Sequence, residues 1–247
     1  MNNYVARAFK FIIIMALITL IVLLFSLSGF MTHRSAEYKG VSLEASSPTV
    51  IVIDPGHGGE DGGAEANGVT EKEINLAVSK NLAAYLSMTS YDTVMTRSDD
   101  RLLYEAGQEN RKKYHDISNR IKIASSYENA IFISVHQNKF EIPKYRGLQV
   151  YYSPNDANSS NLASIIQSNV KTYIDPSNGR ETKKADGNIR VLKSLKVPAV
   201  LIECGFLSNP EEAKMLSDTE YQKKLAFVTF ISTLEFLQQN GEKSNEV

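Results

Sequence analysis

The chain has one cysteine, Cys204, in 247 residues, and a lone cysteine rules out a disulfide within the chain. A single buried thiol suits either side of a membrane, so this count leaves the redox compartment open. There is no basic excess: 27 Lys and Arg stand against 28 Asp and Glu, with no basic stripe. A phosphate backbone would find no matching surface, which excludes nucleic acid as a partner class. No internal repeat is present, and no compact His-Glu-x-x-His occurs. Any metal site would have to be assembled from residues far apart in the chain.

Uncharged apolar stretches are short, with one exception. Phe11 to Met31 is a run of 21 residues without charge, close to the roughly 20 that cross a bilayer core as a helix. Arg7 and Lys10 precede it, the flank expected on the inner side, so the rest of the chain is expected outside the cytoplasm. A cleaved signal peptide would have an apolar region of about 7 to 15 residues and a small-x-small site. Ser28-Gly29-Phe30 and Met31-Thr32-His33 offer no Ala-x-Ala, which favours an uncleaved anchor. Residues 1–31 are read as this signal or membrane anchor and 32–48 as a linker of mixed polar composition. The remainder of the chain is long enough for one domain and too short for two: residues 49–240, then a polar tail, 241–247.

Within that domain, mostly apolar runs alternate with helical patterns. Thr49 to Asp54, Ala130 to Val135 and Val197 to Ile202 read as strands covered on both faces, with a shorter strand over Thr93 to Thr96 and a half-wet one over Gly147 to Tyr152. Thr70-Glu71-Lys72-Glu73 has the form of a capping box that starts a helix at Glu71. Ser208-Asn209-Pro210 marks another helix start, and Thr219 to Gln239 is a final amphipathic helix. The fold class is α/β: a single layered domain with a mostly parallel, mixed central sheet flanked by helices.

Each main strand ends in a group that can do chemistry. His57, between Gly56 and Gly58, follows the first; His136 follows the next; Glu203 follows the last. Ligands bind outside the carboxyl ends of such strands, so these groups are expected at one rim, with Glu71 in reach at the first turn of its helix. Glycine on both sides of His57 suggests a close approach to the backbone. Two imidazoles and one carboxylate match the three protein ligands of a catalytic zinc, and the second carboxylate would be free to move protons. Asp54 has two readings, an ordinary strand terminator before Pro55 or a carboxylate that orients His57. Asp61 braces the glycine loop, Cys204 is a core residue, and His33 and His115 are surface residues. Ser98 to Tyr114 is a long polar excursion, either solvated loop or a wall for a glycan or partner protein.

Asp54-Pro55-Gly56-His57-Gly58-Gly59-Glu60-Asp61-Gly62-Gly63, then Glu71, Ser134-Val135-His136-Gln137-Asn138 and Glu203-Cys204-Gly205-Phe206-Leu207-Ser208-Asn209 together resemble the zinc-dependent N-acetylmuramoyl-L-alanine amidases. The resemblance runs in order from about Thr49 to about Gln239. It implies a Zn2+ held by His57, Glu71 and His136, with Glu203 as catalytic acid and base, and peptidoglycan as substrate, cut between N-acetylmuramic acid and L-alanine. Gln137-Asn138 and the Lys139-Phe140 after them depart from the small residues common there, which would alter substrate contacts. Thr96-Arg97 and Asn119-Arg120 look like family positions. An anchor with a bare catalytic domain and no repeated wall-binding module most resembles the amidase of endospore formers that acts in cortex synthesis. That implies an extracytoplasmic place in the spore envelope and a role in muramic lactam formation and germination, with room for an activating protein partner. Two alternatives use the same residues differently: a zinc peptidase cutting within the stem peptide, and a non-catalytic wall-binding domain, which would be expected to have lost a ligand or Glu203.

Overall fold

The computed structural model describes residues 49–244, with side chains through residue 240. The expected anchor and linker, 1–48, and the last three residues of the tail lie outside these. Among the described residues no helix is long and apolar enough to cross a membrane.

The chain opens with β1 (Val50–Pro55), every residue of which is buried. A small hairpin, β2 (Glu65–Ala66) and β3 (Val69–Thr70), leads into α1 (Glu71–Leu86). Then come β4 (Asp92–Met95), α2 (Lys112–Ser125), β5 (Ala130–Asn138), β6 (Gln149–Tyr152), α3 (Asn158–Tyr173), β7 (Lys183–Lys184), α4 (Arg190–Ser194), β8 (Ala199–Phe206), α5 (Pro210–Leu216) and α6 (Thr219–Ser244). The last helix extends past Gln239, where the apolar pattern ends. The main sheet has the order β4-β1-β5-β8-β6-β7. All its pairs are parallel except β6 with β8, which is the mixed, mostly parallel sheet expected.

Alternation along the strands sends residues to two separate cores. Ile51, Ile53, Ile131, Ile133, Val200 and Ile202 face α1, α3 and α6, where Leu82, Leu86, Leu162, Ile166, Leu225 and Phe236 close the layer. Val52, Phe132, Ala199 and Leu201 face the other way, onto Ala124 of α2 and Val191 and Leu192 of α4. Burial on both faces is what selects continuous apolar runs in β1, β5 and β8.

Two local details differ from the sequence expectation. Thr70 is the N-cap of α1 in an extended conformation, but its side chain makes no capping bond. Ala64 and Gly62 carbonyls take the Glu71 and Lys72 amides instead, so the preceding loop fills the role of the capping box. The strands carrying His136 and Glu203 also run past them, to Asn138 and Phe206. Their pairing slips between these points, with His136 opposite Glu203 and Asn138 opposite Phe206, a bulge of the kind found beside functional sites.

The start of α5 follows the sequence signal. Asn209 accepts from the Glu211 and Glu212 amides at 3.0 and 3.1 Å, with Pro210 in the first turn. Asn209→Ala is expected to lower stability by about 1 kcal/mol, measured by urea unfolding; no change would mean that Pro210 alone sets the helix start.

Candidate metal and catalytic site

The loop after β1 is held by its carbonyl groups. Arg97, 1% exposed, donates from Nε to Pro55 O at 2.9 Å and from Nη2 to Gly56 O and Lys72 O, both at 3.0 Å. Arg120, 4% exposed, donates to Pro55 O at 2.6 Å and His57 O at 2.7 Å. Its remaining donors are paired with Asp54 at 2.7 Å and Asp116 at 2.8 Å. Three consecutive carbonyls thus point at two guanidinium groups. Burial lowers the Arg97 pKa to about 10, with the neighbouring Arg120 charge adding to the effect, so both stay charged at neutral pH.

Asp54 belongs to this support and does not touch His57. Its carboxylate accepts from Thr96 Oγ1 at 2.6 Å, Ser134 Oγ at 2.7 Å and Arg120. The carboxylate that orients His57 is Asp61, whose Oδ2 lies 3.0 Å from Nδ1. With a proton on Nδ1 for Asp61 to accept, the Nε2 lone pair of His57 is free to face Glu71. His57 has φ of 61°, a left-handed conformation that turns the ring toward Asp61 and Glu71. Asp61 also accepts from the Gly63 amide at 3.3 Å, so it does brace the glycine loop.

The glycines make room for the protein's own side chains. A Cβ on Gly56 would stand 2.2 Å from Cε1 of His136, and one on Gly63 would stand 2.5 Å from Oε2 of Glu71. At Gly58 the space is taken by the Arg101 carbonyl, 2.3 Å from a built Cβ. The close approach read from the sequence is real, but what approaches is His136, Glu71 and the loop of residues 98–108.

These restraints bring His57, Glu71 and His136 together, with one ligand atom from each all within 4.8 Å of one another. Glu71 Oε1 lies 3.3 Å from His57 Nε2 and 3.0 Å from His136 Nδ1. Tetrahedral ligands of one zinc are about 3.3 Å apart, so the spacing and the donor chemistry both fit that ion. Glu71 is fixed independently by the Ala64 amide at 2.7 Å, the Gln137 amide at 3.0 Å and Asn75 Nδ2 at 3.2 Å. Burial would raise the Glu71 pKa, but the two histidines hold it well below the usual carboxylate range. Burial likewise pulls His57 down, and Glu71 and Asp61 reverse that to leave it raised.

Glu203 stands opposite His136 in the β5–β8 register. Its Oε2 is sealed from solvent and has no hydrogen-bond partner among the described residues. Burial pushes its pKa up to about 7, the Glu71 charge adding to this and the histidines opposing it. A carboxylate poised in that range can both take and return a proton near neutral pH. The adjacent Cys204 faces the core, and burial lifts its thiol to about 12, so it stays protonated. Gln137 is buried, its amide donating to Asn75 Oδ1 at 3.0 Å, and it does not face the substrate side as its place in the sequence suggested.

The excursion after β4 folds over the glycine loop. Asp100 accepts from the Gly59 amide and from Lys72, both at 2.7 Å, while Lys112 pairs with Glu60 at 2.7 Å and Lys113 with Asp61 at 3.3 Å. His57, His136, Lys113, Asn188 and Arg190 are among the residues lining a cleft of about 210 Å3 beside the site. The sequence pattern alone assigns the supporting arginines no role. The available signal was Asp116, Arg120 and Ala124 at four-residue spacing on the buried face of α2.

A mostly parallel α/β sheet with a His–Glu–His donor set and an unpartnered carboxylate at its rim defines the class, a layered α/β protein with a site suited to metal-assisted hydrolysis. The chain belongs to the N-acetylmuramoyl-L-alanine amidase family, which it matches over residues 51–229. A germination-specific N-acetylmuramoyl-L-alanine amidase of Bacillus subtilis is 32% identical over 228 residues, 92% of this chain and 94% of that one. Among solved structures, the CwlD amidase of Clostridioides difficile, in complex with the GerS lipoprotein, superposes with a TM-score of 0.73 at 38% identity, covering 76% of this chain and 98% of that one. The amidase AmiC2 of Nostoc punctiforme gives 0.68 at 31% identity, covering 78% and 99%.

Asp54 makes the support pH-sensitive in a defined direction. Burial alone would raise its pKa, but Arg120, Thr96 and Ser134 leave it lowered from 3.8. Its contribution is therefore complete above the ordinary carboxylate value and is lost as pH falls below about 4. Thermal unfolding should show stability falling with acid, by up to about 1.4 kcal/mol per pH unit for this one proton. Asp54→Asn should be less stable at neutral pH and have a flatter acid limb; equal slopes would show that Asp54 does not carry the effect.

Proposed function

We propose that this chain is a zinc-dependent N-acetylmuramoyl-L-alanine amidase that removes the stem peptide from peptidoglycan during spore cortex maturation. The observation that carries the reading is the His57–Glu71–His136 donor set with Glu203 beside His136 in strand register. Zinc, when bound by these three residues, activates water and polarises the scissile carbonyl. Glu203 then accepts the proton of the attacking water and donates it to the nitrogen of L-alanine as the amide bond breaks. Asp61 holds His57 in the tautomer that leaves Nε2 available, and the Gln137 amide and Asn75 hold Glu71 in place between the two rings.

The spore role draws support from the germination-specific relative. A bound partner protein is supported by the CwlD relative, whose structure is a complex with a lipoprotein. Action on the outer side of a membrane, with residues 1–31 as anchor or signal, rests on the charge-flanked apolar run from Phe11 to Met31 and on a substrate that lies outside the cytoplasm.

The test is hydrolysis of intact glycan-peptide by the full chain, with products identified by mass spectrometry and bound zinc measured directly. The expected product is a free stem peptide beginning with L-alanine. Glu203→Gln should reduce kcat by at least about 100-fold while keeping zinc. Cleavage between peptide residues would move the assignment to a peptidase, and zinc-loaded protein that binds glycan without turnover would favour a wall-binding role.

Gly56→Ala should lower zinc content at a given free-metal concentration by about tenfold or more, because the new methyl group displaces His136. A zinc affinity equal to wild type would remove His136 from the ligand set.

A further inference from the structure

On the far side of Glu203 from the histidines lies a second pocket, of about 330 Å3, whose lining includes Gln149, Tyr151, Arg180, Lys183 and Phe206. It contains two cations and no carboxylate. Strand register connects it to the site. His136 is opposite Glu203, Glu203 is opposite Gln149, and Tyr151, two residues on, is opposite Lys183. Paired residues on neighbouring strands project from the same face, so the row continues from the metal-site histidine through Glu203 into the pocket, at about 4.8 Å per strand.

Arg180 is built into the wall. Its Nε donates to Arg146 O at 2.8 Å and its Nη1 to Gln149 Oε1 at 3.0 Å, and its guanidinium lies over the Phe206 ring at 4.4 Å. Nη2 has no partner among the described residues, and neither has Nζ of the exposed Lys183. Neither cation forms a direct ion pair among the described residues, Glu212 acting on Arg180 only through space, and with Arg180 held rigid by three contacts the two form a receptor for a carboxylate.

The direction of the leaving group follows from Glu203. The group that protonates the leaving nitrogen has to lie on that nitrogen's side of the scissile carbonyl, and Glu203 lies between the donor set and the pocket. The departing peptide therefore runs across β8 toward β6 and β7. In peptidoglycan the residue after L-alanine is a γ-linked D-glutamate, whose α-carboxyl is either free or amidated. One extended residue and the bond from Cα to the α-carboxyl place that group about 5 to 7 Å from the scissile nitrogen, a little more than one strand spacing, which reaches β6 and the guanidinium bonded to Gln149.

We propose that Arg180, assisted by Lys183, recognises the free α-carboxylate of the second stem-peptide residue and discriminates against its carboxamide. This rests on the amidase reading, and the experiment separates the two. The full chain is titrated by calorimetry with L-Ala-D-Glu and with L-Ala-D-isoglutamine, both capped as the γ-methylamide so that only the α-group differs, and the N-acetylmuramoyl forms of both are offered as substrates. The wild type is expected to bind the carboxylate peptide about tenfold more tightly, the scale of one charge-assisted hydrogen bond. Arg180→Lys should reduce the preference, and Arg180→Met with Lys183→Met should bring the ratio to about one. Lys183→Met alone, at an exposed side chain that no fold contact needs, should cut the preference several-fold and decides the matter if the double variant does not fold. Equal binding of the two peptides by the wild type, or an unchanged preference in Lys183→Met and the double variant, overturns the proposal. Carboxylate preference in binding without hydrolysis of either muramoyl substrate would keep the subsite and overturn the amidase reading.

Discussion

The site depends on a clamp of two buried arginines on three backbone carbonyls. Pro55, Gly56 and His57 leave β1 with their C=O groups turned inward, where no strand partner could satisfy them. Arg97 and Arg120 do so, and Asp54 and Asp116 balance the charge of Arg120. Removing one partner from such a set leaves an uncompensated buried charge, which costs about 3 to 5 kcal/mol. The clamp also holds His57 at positive φ, a conformation that costs on the order of 1 kcal/mol or more outside glycine. If the loop moved, His57 would turn away from Glu71, and Gly56 would no longer leave space for the ring of His136.

Around that clamp the donor set is held by crowding and hydrogen bonding together. Glu71 receives three donors from three different segments, the Ala64 amide, the Gln137 amide and Asn75. The cost of burying its charge is thereby met with the histidines in place. Glu203 is treated differently. Its Oε2 is buried without a partner among the described residues, a state that is unfavourable in the resting protein and that suits the proton-transfer role proposed for it. Within one rim, one carboxylate is held ionised and the other is pushed toward neutrality by its surroundings, which is how two like groups come to have separate roles.

Much of this was legible in the residues. Val50 to Ile53, Ala130 to Ile133 and Ala199 to Ile202 are continuous apolar runs because both sheet faces are covered, and that burial pattern is a local signal. Their polar ends are enough to place His57, His136 and Glu203 on one rim. The Asn209 cap was equally local. The parts left open or misread all depended on contacts across the fold. Asp54 and Asp61 are both acidic neighbours of His57 in sequence, and only the direction of the loop decides that Asp61 meets the ring while Asp54 turns to Arg120. Thr70 and Glu73 have the spacing of a capping box, yet the loop carbonyls of Gly62 and Ala64 reach the first-turn amides instead.

The sequence by itself determined the alternation of strands and helices, the mostly parallel sheet and the identity of the polar groups at its edge, because periodicity and chain breaks are properties of neighbouring residues. Tertiary structure alone decided what surrounds those groups: the ring of His136 against Gly56, the guanidinium groups on the loop carbonyls, and the row from His136 through Glu203 to Gln149 and Arg180. These pairs are separated by tens of residues, and their distances are set by strand register and packing, which no local pattern encodes.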